Sequence, residues 1–508
     1  MKVDQSAMDA SGVSDLCYAR QIKGLVEKQD FLDLGYDRKK EATLKFIEAE
    51  KDCAETNTRL WGSLPRWDVG GVLYTAQRII ASILGPVPSL SDLTFLFGPG
   101  ASTNVVGRVA SFRSKLAAPM QCSESLASTV GEFLEEFPLW CDAVATKHSD
   151  ECWVVPVQVR PARLGFVPKT SKTDRTICVE PSLNALGQKG IGTYMKRRLG
   201  LFGVNLFDQS INQRLALQGS IHGDLATVDL SSASDTVSYA LVMSLLPLDW
   251  FSLLDRFRSE SVEVEGVVMD LEKFSSMGNA YTFELESLLF YALALAVCDS
   301  LDLLGGPIFD NGRLQKRAEN VSIYGDDIIV PVSAIDLLYE VLKWCGFKVN
   351  TEKSYHHGLF RESCGADWFN GFDVRPWYLK KEISERTLYS AHNFFMRKGE
   401  RSLARIVFSY TVKKNRLFGP DGYGDGHLLG TYTLKPGGRG WDGGYFRSWR
   451  GVPNRNEKDH QTDILIPSYT VMGRMGEDTA TDPYVVRGTK RYKTTSIYTT
   501  RRGIFRPW

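Results

Sequence analysis

Three acids in two short stretches are placed where metal-assisted chemistry could be done. Val321-Ser322-Ile323-Tyr324-Gly325-Asp326-Asp327-Ile328-Ile329-Val330 reads as two β-rich arms about a Gly-Asp-Asp turn, so two carboxylates sit at the edge of a hydrophobic sheet. Unit charges about 4 Å apart repel by ~4 kcal/mol at an effective dielectric of 20, so carboxylates gathered there take up a proton or collect a cation. Ala226-Thr227-Val228-Asp229-Leu230 is a short strand ending in another carboxylate. Ser231-Ser232-Ala233-Ser234-Asp235 is then expected to open a helix whose apolar residues run from Val237 to Leu246, with the serines and Asp235 capping its first turn. Read singly, the hairpin acids also suit a solvated turn, and Asp229 and Asp235 suit plain caps.

Cations lie upstream. Between Arg160 and Arg198 nine basic side chains, Lys169, Lys172 and Arg175 among them, face only Asp174 and Glu180, a block suited to polyphosphate or nucleic acid and equally to a solvated surface. With Asp229 and Asp326 these are the components of two-metal nucleotidyl transfer. In that chemistry two Mg²⁺ ions, roughly 3.5–4 Å apart and oxygen-ligated, activate a sugar 3′-hydroxyl and steady the pyrophosphate. Lys169, Lys172 and Arg175 would neutralise the triphosphate from the opposite wall. Phe274-Ser275-Ser276-Met277-Gly278-Asn279-Ala280 adds a small-residue loop in which Gly278 would let backbone pass close to a ligand and Ser275, Ser276 and Asn279 offer hydrogen bonds. An ordinary loop before a core helix is the plainer reading.

The elements that must hold these residues are legible in outline. Tyr281 to Val297 reads as a long apolar helix. Ser333 looks like the cap of a helix whose stripe Ile335, Leu338, Val341 and Leu342 covers the sheet before Gly346 stops it. Gly358 to Tyr378, with Phe360, Trp368, Phe369, Phe372 and Trp377, suggests short strands packed on that sheet. Leu64 to Val87 and the stretch before Asn57 read as helices. Phe97 to Thr103 is a Gly/Pro turn without the lysine of a phosphate-binding loop, and Asp421 to Gly426 mimics a calcium loop but puts Tyr423 at a ligand position, so both read as loops.

Composition sets the bounds. The 508 residues are 43% hydrophobic, 24% charged and 11% aromatic, which excludes a disordered chain and a small stapled scaffold. Nine cysteines without C-x-x-C spacing indicate neither a disulfide framework nor a zinc cluster and fit a reducing cytosol. The opening MKVDQSAMDASG lacks the apolar core of an export signal, and the longest greasy run, Ser287 to Cys298, falls short of the ~20 residues that span a membrane. A net charge of +1 hides an asymmetry: from Lys381 onward 23 basic residues meet 12 acidic ones, and the first 380 residues hold 38 against 48.

DLSSASD (Asp229 to Asp235), SSMGNAYTFELES (Ser275 to Ser287), YGDD (Tyr324 to Asp327), GLFRESCG (Gly358 to Gly365) and VPKTSKTDRTICVEPSLN (Val167 to Asn184) resemble, in order and interval, the leviviral replicases, RNA-directed RNA polymerase β subunits of positive-strand RNA bacteriophages. The resemblance runs from about Phe97 to Tyr378. It implies an α+β right-hand polymerase with fingers, an antiparallel palm sheet and a thumb. The implied division is an N-terminal helical region 1–60, fingers 61–218, palm 219–251, a fingers insertion 252–274, palm 275–380, and thumb with basic region 381–508.

Carried over by position, Asp229 and Asp326 would be the principal ligands of two Mg²⁺ ions (Mn²⁺ as substitute), aided by Asp327 and the Leu230 carbonyl. Lys169, Lys172 and Arg175 would hold the triphosphate, Asp235 and Asn279 would sense the ribose 2′-hydroxyl beside Ser275, Ser276 and Gly278, and Lys353 would protonate pyrophosphate. Glu284 and Glu286 occupy the first turns of the following helix, and the partner of Asp235 stays open. The basic region would contact template. Its last stretch, Lys490 to Lys493 through Arg501 to Trp508, interleaves cations with aromatics as single-stranded RNA binding requires. Primer-independent replication in the cytoplasm of an infected bacterium, with host elongation factors Tu and Ts and a ribosomal RNA-binding protein, is implied as well. The rival readings are a reverse transcriptase sharing the palm and a non-catalytic RNA-binding or capsid-associated protein.

Overall fold

Helix Thr282–Ser300 carries apolar residues on every side, and such a helix is stable only when surrounded. In the computed structural model, which describes residues 12–107, 109–149, 152–315, 319–437, 443–455 and 485–500, all its residues from Thr282 to Cys298 except Phe283 are buried. Helices Trp67–Leu84, Ser182–Leu201 and Ile335–Trp344 pack around it and form the main core with it. Among the described residues no helix is long and apolar enough to cross a membrane.

Against this helix lies a three-stranded antiparallel sheet in the spatial order Ser322–Tyr324, Asp327–Pro331, Leu225–Val228. Its two faces follow the alternation of a strand. Ala226, Val228, Ile328 and Val330 join the main core, whereas Leu225 and Ile329 pack with Ala216 of helix Ser210–His222. Tyr324 pairs with Asp327, so Gly325 and Asp326 are the whole hairpin loop. Gly325 has φ +63° and Asp326 is not left-handed, the pattern of a tight II′-type turn. A Cβ at Gly325 would stand 2.6 Å from the Phe283 ring, so the position tolerates no other residue without movement.

The expected hairpin, long helix and strands of 358–378 are present, the last as the meander Phe360–Ser363, Ala366–Phe369, Phe372–Asp373. Two helix starts differ. Ser231 and Ser232 cap nothing: Ala233–Asp235 is a separate 3₁₀ turn entered through a left-handed Ser232 (φ 57°), and the helix is Tyr239–Leu245. Val332–Ala334 is likewise a 3₁₀ turn, so Ser333 lies inside it rather than capping Ile335–Trp344. Both turns let the chain reverse at the end of a buried strand, a tertiary demand with no local signature.

A second sheet runs Val267–Asp270, Ser261–Val264, Ala162–Pro168, Asp174–Val179, joining distant chain segments through the parallel pair Ala162/Val262. Beyond it, helices Glu385–Arg397 and Arg401–Ser409 precede a long ribbon of Gly444–Arg455 and Val485–Thr499. Within the expected RNA-binding stretch, Lys490 to Thr500 belong to or follow this ribbon; Arg501 to Trp508 lie outside the described residues.

Candidate active site

Register brings the acids together. Ile328 faces Val228, so one step further along the two strands Asp327 faces Asp229, with Asp326 next to it in the turn. Helix 282–300 fixes that turn from below: Ser287 Oγ accepts the Gly325 N–H at 3.0 Å, and Phe283 packs edge-on against Tyr324. From the other side Asn212 Nδ2 donates to the Asp327 carbonyl (3.1 Å) and its Oδ1 accepts from Ser322 Oγ (2.6 Å).

Each carboxylate has a different setting. Asp229 is half-buried; burial pushes its pKa up, Lys353 opposes this, and the charge of Asp326 raises it further. Its Oδ2 accepts from Asn350 Nδ2 at 2.8 Å and lies 4.0 Å from Lys353 Nζ. Asp327 is committed to the protein: Ser363 Oγ donates to it at 3.2 Å and the Cys364 backbone also bonds it, and burial still drives its pKa to about 6. The Asn350 N–H donates to the Asp229 carbonyl (2.9 Å), which makes 230/349 the open pair and turns the Leu230 carbonyl away from strand Lys348–Val349.

Among the described residues no three His, Cys, Asp or Glu side chains are grouped so as to hold a metal ion by themselves. Asp229 lies close enough to Asp326 for that charge to raise its pKa, so the two offer carboxylate oxygens that a divalent cation would have to complete with waters and substrate phosphates.

Cations gather opposite. Burial lowers the pKa of Lys169, and Arg175, Lys353 and Lys45 lower it further while Asp229 raises it, so these four cations share one region with the acid. Lys172, by contrast, is exposed at the tip of the hairpin formed by Ala162–Pro168 and Asp174–Val179, its N–H bonded to Thr170 Oγ1. Lys45 was not singled out in sequence; it lies on helix Arg38–Gly62, far from every motif.

The serine loop is built against the second sheet. Gly278 (φ +121°) approaches backbone rather than open space: a Cβ there would lie 2.1 Å from the Cys178 carbonyl. Asn279 Oδ1 accepts the Ser276 N–H (2.8 Å), and the buried Ser275 hydroxyl has no hydrogen-bond partner among the described residues. The partner of Asp235 is Lys273, 3.2 Å away and fully buried, which also pairs with Glu50 at 3.0 Å.

Glu286 is a further acid beside the turn. It accepts from Ser234 Oγ at 2.7 Å and stands 3.2 Å from where a Gly325 Cβ would be. Burial pushes its pKa to about 8 from an ordinary 4.5, partly offset by Ser234, with Asp326 adding to the rise. Glu180, fully buried, is similarly held at about 7. A carboxyl that is more basic when folded stabilises most at low pH and loses that contribution as pH climbs through the folded value. The melting temperature should therefore fall between pH 5 and about 8.5, and Glu286→Gln should flatten that slope; identical slopes would mean Glu286 is not held protonated.

A nucleic-acid polymerase is the class that this arrangement defines: an antiparallel sheet with an acidic hairpin turn, backed by a buried helix and faced by clustered lysines and arginine. The profile of the family described as RNA replicase, beta-chain, matches residues 9–397. The RNA-directed RNA polymerase subunit beta of Escherichia virus Qbeta is 36% identical over 447 residues, 82% of this chain and 70% of that protein. The corresponding subunit of Enterobacteria phage SP is 37% identical over 436 residues, covering 81% and 71%. The RNA-dependent RNA polymerase of a human picorbirnavirus aligns at TM-score 0.38 and 11% identity over 80% of this chain and 82% of that one. The chain belongs to the RNA replicase β-chain family of phage RNA-directed RNA polymerases.

Proposed function

We propose that the chain copies single-stranded phage RNA from ribonucleoside triphosphates by two-metal nucleotidyl transfer, beginning without a primer. The observation that carries this is the meeting of Asp229 and Asp326 at one end of the sheet, with Lys169 and Lys353 beside Asp229 and Arg175 beside Lys169. Two Mg²⁺ ions held by Asp229, Asp326 and the Leu230 carbonyl would supply activation of the attacking 3′-hydroxyl and charge neutralisation at the leaving group. Lys169, Lys45 and Arg175 bind the triphosphate. Lys353, 61% exposed and anchored beside Asp229, orients the departing pyrophosphate and donates its proton to it. Asp235, fixed by Lys273, and the unpaired Ser275 hydroxyl read the ribose 2′-hydroxyl, with Asn279 shaping the loop.

The same reading assigns fingers to 61–218 and 252–274, whose strands share the second sheet, palm to 219–251 and 275–380, and thumb to 381–508. It places the enzyme in the bacterial cytoplasm with elongation factors Tu and Ts and a ribosomal RNA-binding protein. Purified protein with Mg²⁺ and an RNA template should incorporate NTPs, should fail without divalent metal, and should use dNTPs at least about a hundredfold less well. Efficient dNTP use would replace this reading with reverse transcription, and metal-independent RNA binding without synthesis would replace it with a binding protein.

A further inference from the structure

A cavity of about 530 Å³ lies in the C-terminal region, away from the acidic turn, between helix Glu385–Arg397, the 420–427 loop and the long ribbon. Its size is that of a small-ligand site. Three kinds of group meet in its wall. Tyr389 and Trp449 are pinned by their polar ends to one acceptor, the Asn415 carbonyl (2.6 and 3.2 Å). Tyr492, 47% exposed, pairs across the ribbon with Gly451, and the Arg386 guanidinium lies over one face of its ring, 5.5 Å from the ring centre. Arg386 donates to the Tyr492 hydroxyl at 2.5 Å, and Arg450 to the Tyr423 carbonyl at 3.2 Å. Glu385 accepts the Val412 N–H with one oxygen (2.6 Å); its other oxygen is buried and has no hydrogen-bond partner among the described residues.

The half-buried Trp449 and the exposed Tyr492 offer ring surface that suits a base, and the guanidiniums of Arg386 and Arg450 suit a phosphate. We infer that this cavity binds one unstacked nucleotide, adenosine being the simplest probe. The inference rests on the RNA-synthesis reading only for where the nucleotide comes from, either an RNA strand leaving or approaching the palm or a free triphosphate.

Photo-crosslinking of the full chain to a short single-stranded oligoribonucleotide carrying 8-azidoadenosine, mapped by peptide mass spectrometry, tests it. Adducts are expected on the 444–451 strand or at Tyr492, falling about tenfold in Arg386→Ala/Arg450→Ala and in the milder, exposed Tyr492→Leu. Matching melting curves would show that the variants fold. The adducts should persist in Asp326→Asn, because the site is separate from the chemistry, so loss of catalysis and loss of this site are told apart. Competition by excess ATP assigns the cavity to free nucleotide, and resistance to ATP assigns it to the strand. Adducts confined to other regions, or undiminished in both variants, would overturn the inference.

Discussion

Asp326→Asn should leave the protein folded and lower RNA synthesis about a thousandfold or more, the equivalent of roughly 4 kcal/mol of transition-state stabilisation. The substitution is nearly isosteric and touches none of the contacts that shape the turn. Those belong to Gly325, whose N–H is held by Ser287, and to Asp327, whose backbone carbonyl and carboxylate are held by Asn212 and Ser363. What it removes is negative charge beside Asp229. Asp327→Asn offers the internal comparison, since an amide oxygen can still accept from Ser363; its loss should be at least tenfold smaller. Primer extension under single-turnover conditions, with circular dichroism as the check on folding, measures both. Equal losses in the two variants would mean that the turn acts as a unit and that the separation of roles between the adjacent acids is wrong.

Why the turn could be read from sequence and its surroundings could not follows from the range of the forces involved. Val321–Val330 is a local statement: apolar arms pair, glycine permits the reversal, and the acids are left at the tip. The 282–300 helix is equally local, because an apolar run of that length has few ways to leave water. Asp229 and its neighbours in the turn come together through strand register, which the alternation of Leu225–Val228 and Asp327–Pro331 already contains.

The residues that sequence reasoning passed over act at a distance. Asn212, Glu50, Lys45 and Lys273 sit in unremarkable helices and loops, and nothing in their own flanks says which buried group each will satisfy. Gly278 was legible as a site of close approach, but its neighbour is the Cys178 carbonyl of a strand about a hundred residues away, and only the assembled sheet reveals that. The capping roles expected of Ser231, Ser232 and Asp235 failed for a related reason: a buried cation competes for Asp235 more strongly than a helix end does.

That cation supplies the second large effect. Lys273 is fully buried, 3.0 Å from Glu50, 3.2 Å from Asp235, and 3.9 Å from the centre of the Phe46 ring. Burial alone would lower its pKa, yet the two carboxylates outweigh burial and raise it, so the lysine stays charged. Lys273→Met keeps the apolar stem and removes the charge, leaving two acids facing each other without a counter-ion. Breaking a buried pair in this way costs about 3–5 kcal/mol. Combining it with Glu50→Gln and Asp235→Asn should recover most of that loss, because the penalty lies in the stranded charges rather than in a missing bond. Urea denaturation of the three proteins measures the difference; a triple variant no more stable than Lys273→Met would refute stranded charge as the cause. The same pair ties stability to selectivity. If Lys273 aims Asp235 at the ribose, then Lys273→Met, assayed below its melting point, should narrow the preference for NTPs over dNTPs about tenfold while Lys273→Arg restores it in part. An unchanged ratio would leave Lys273 as a stabilising brace between helix Arg38–Gly62 and the turn that holds Asp235, with no part in choosing the sugar.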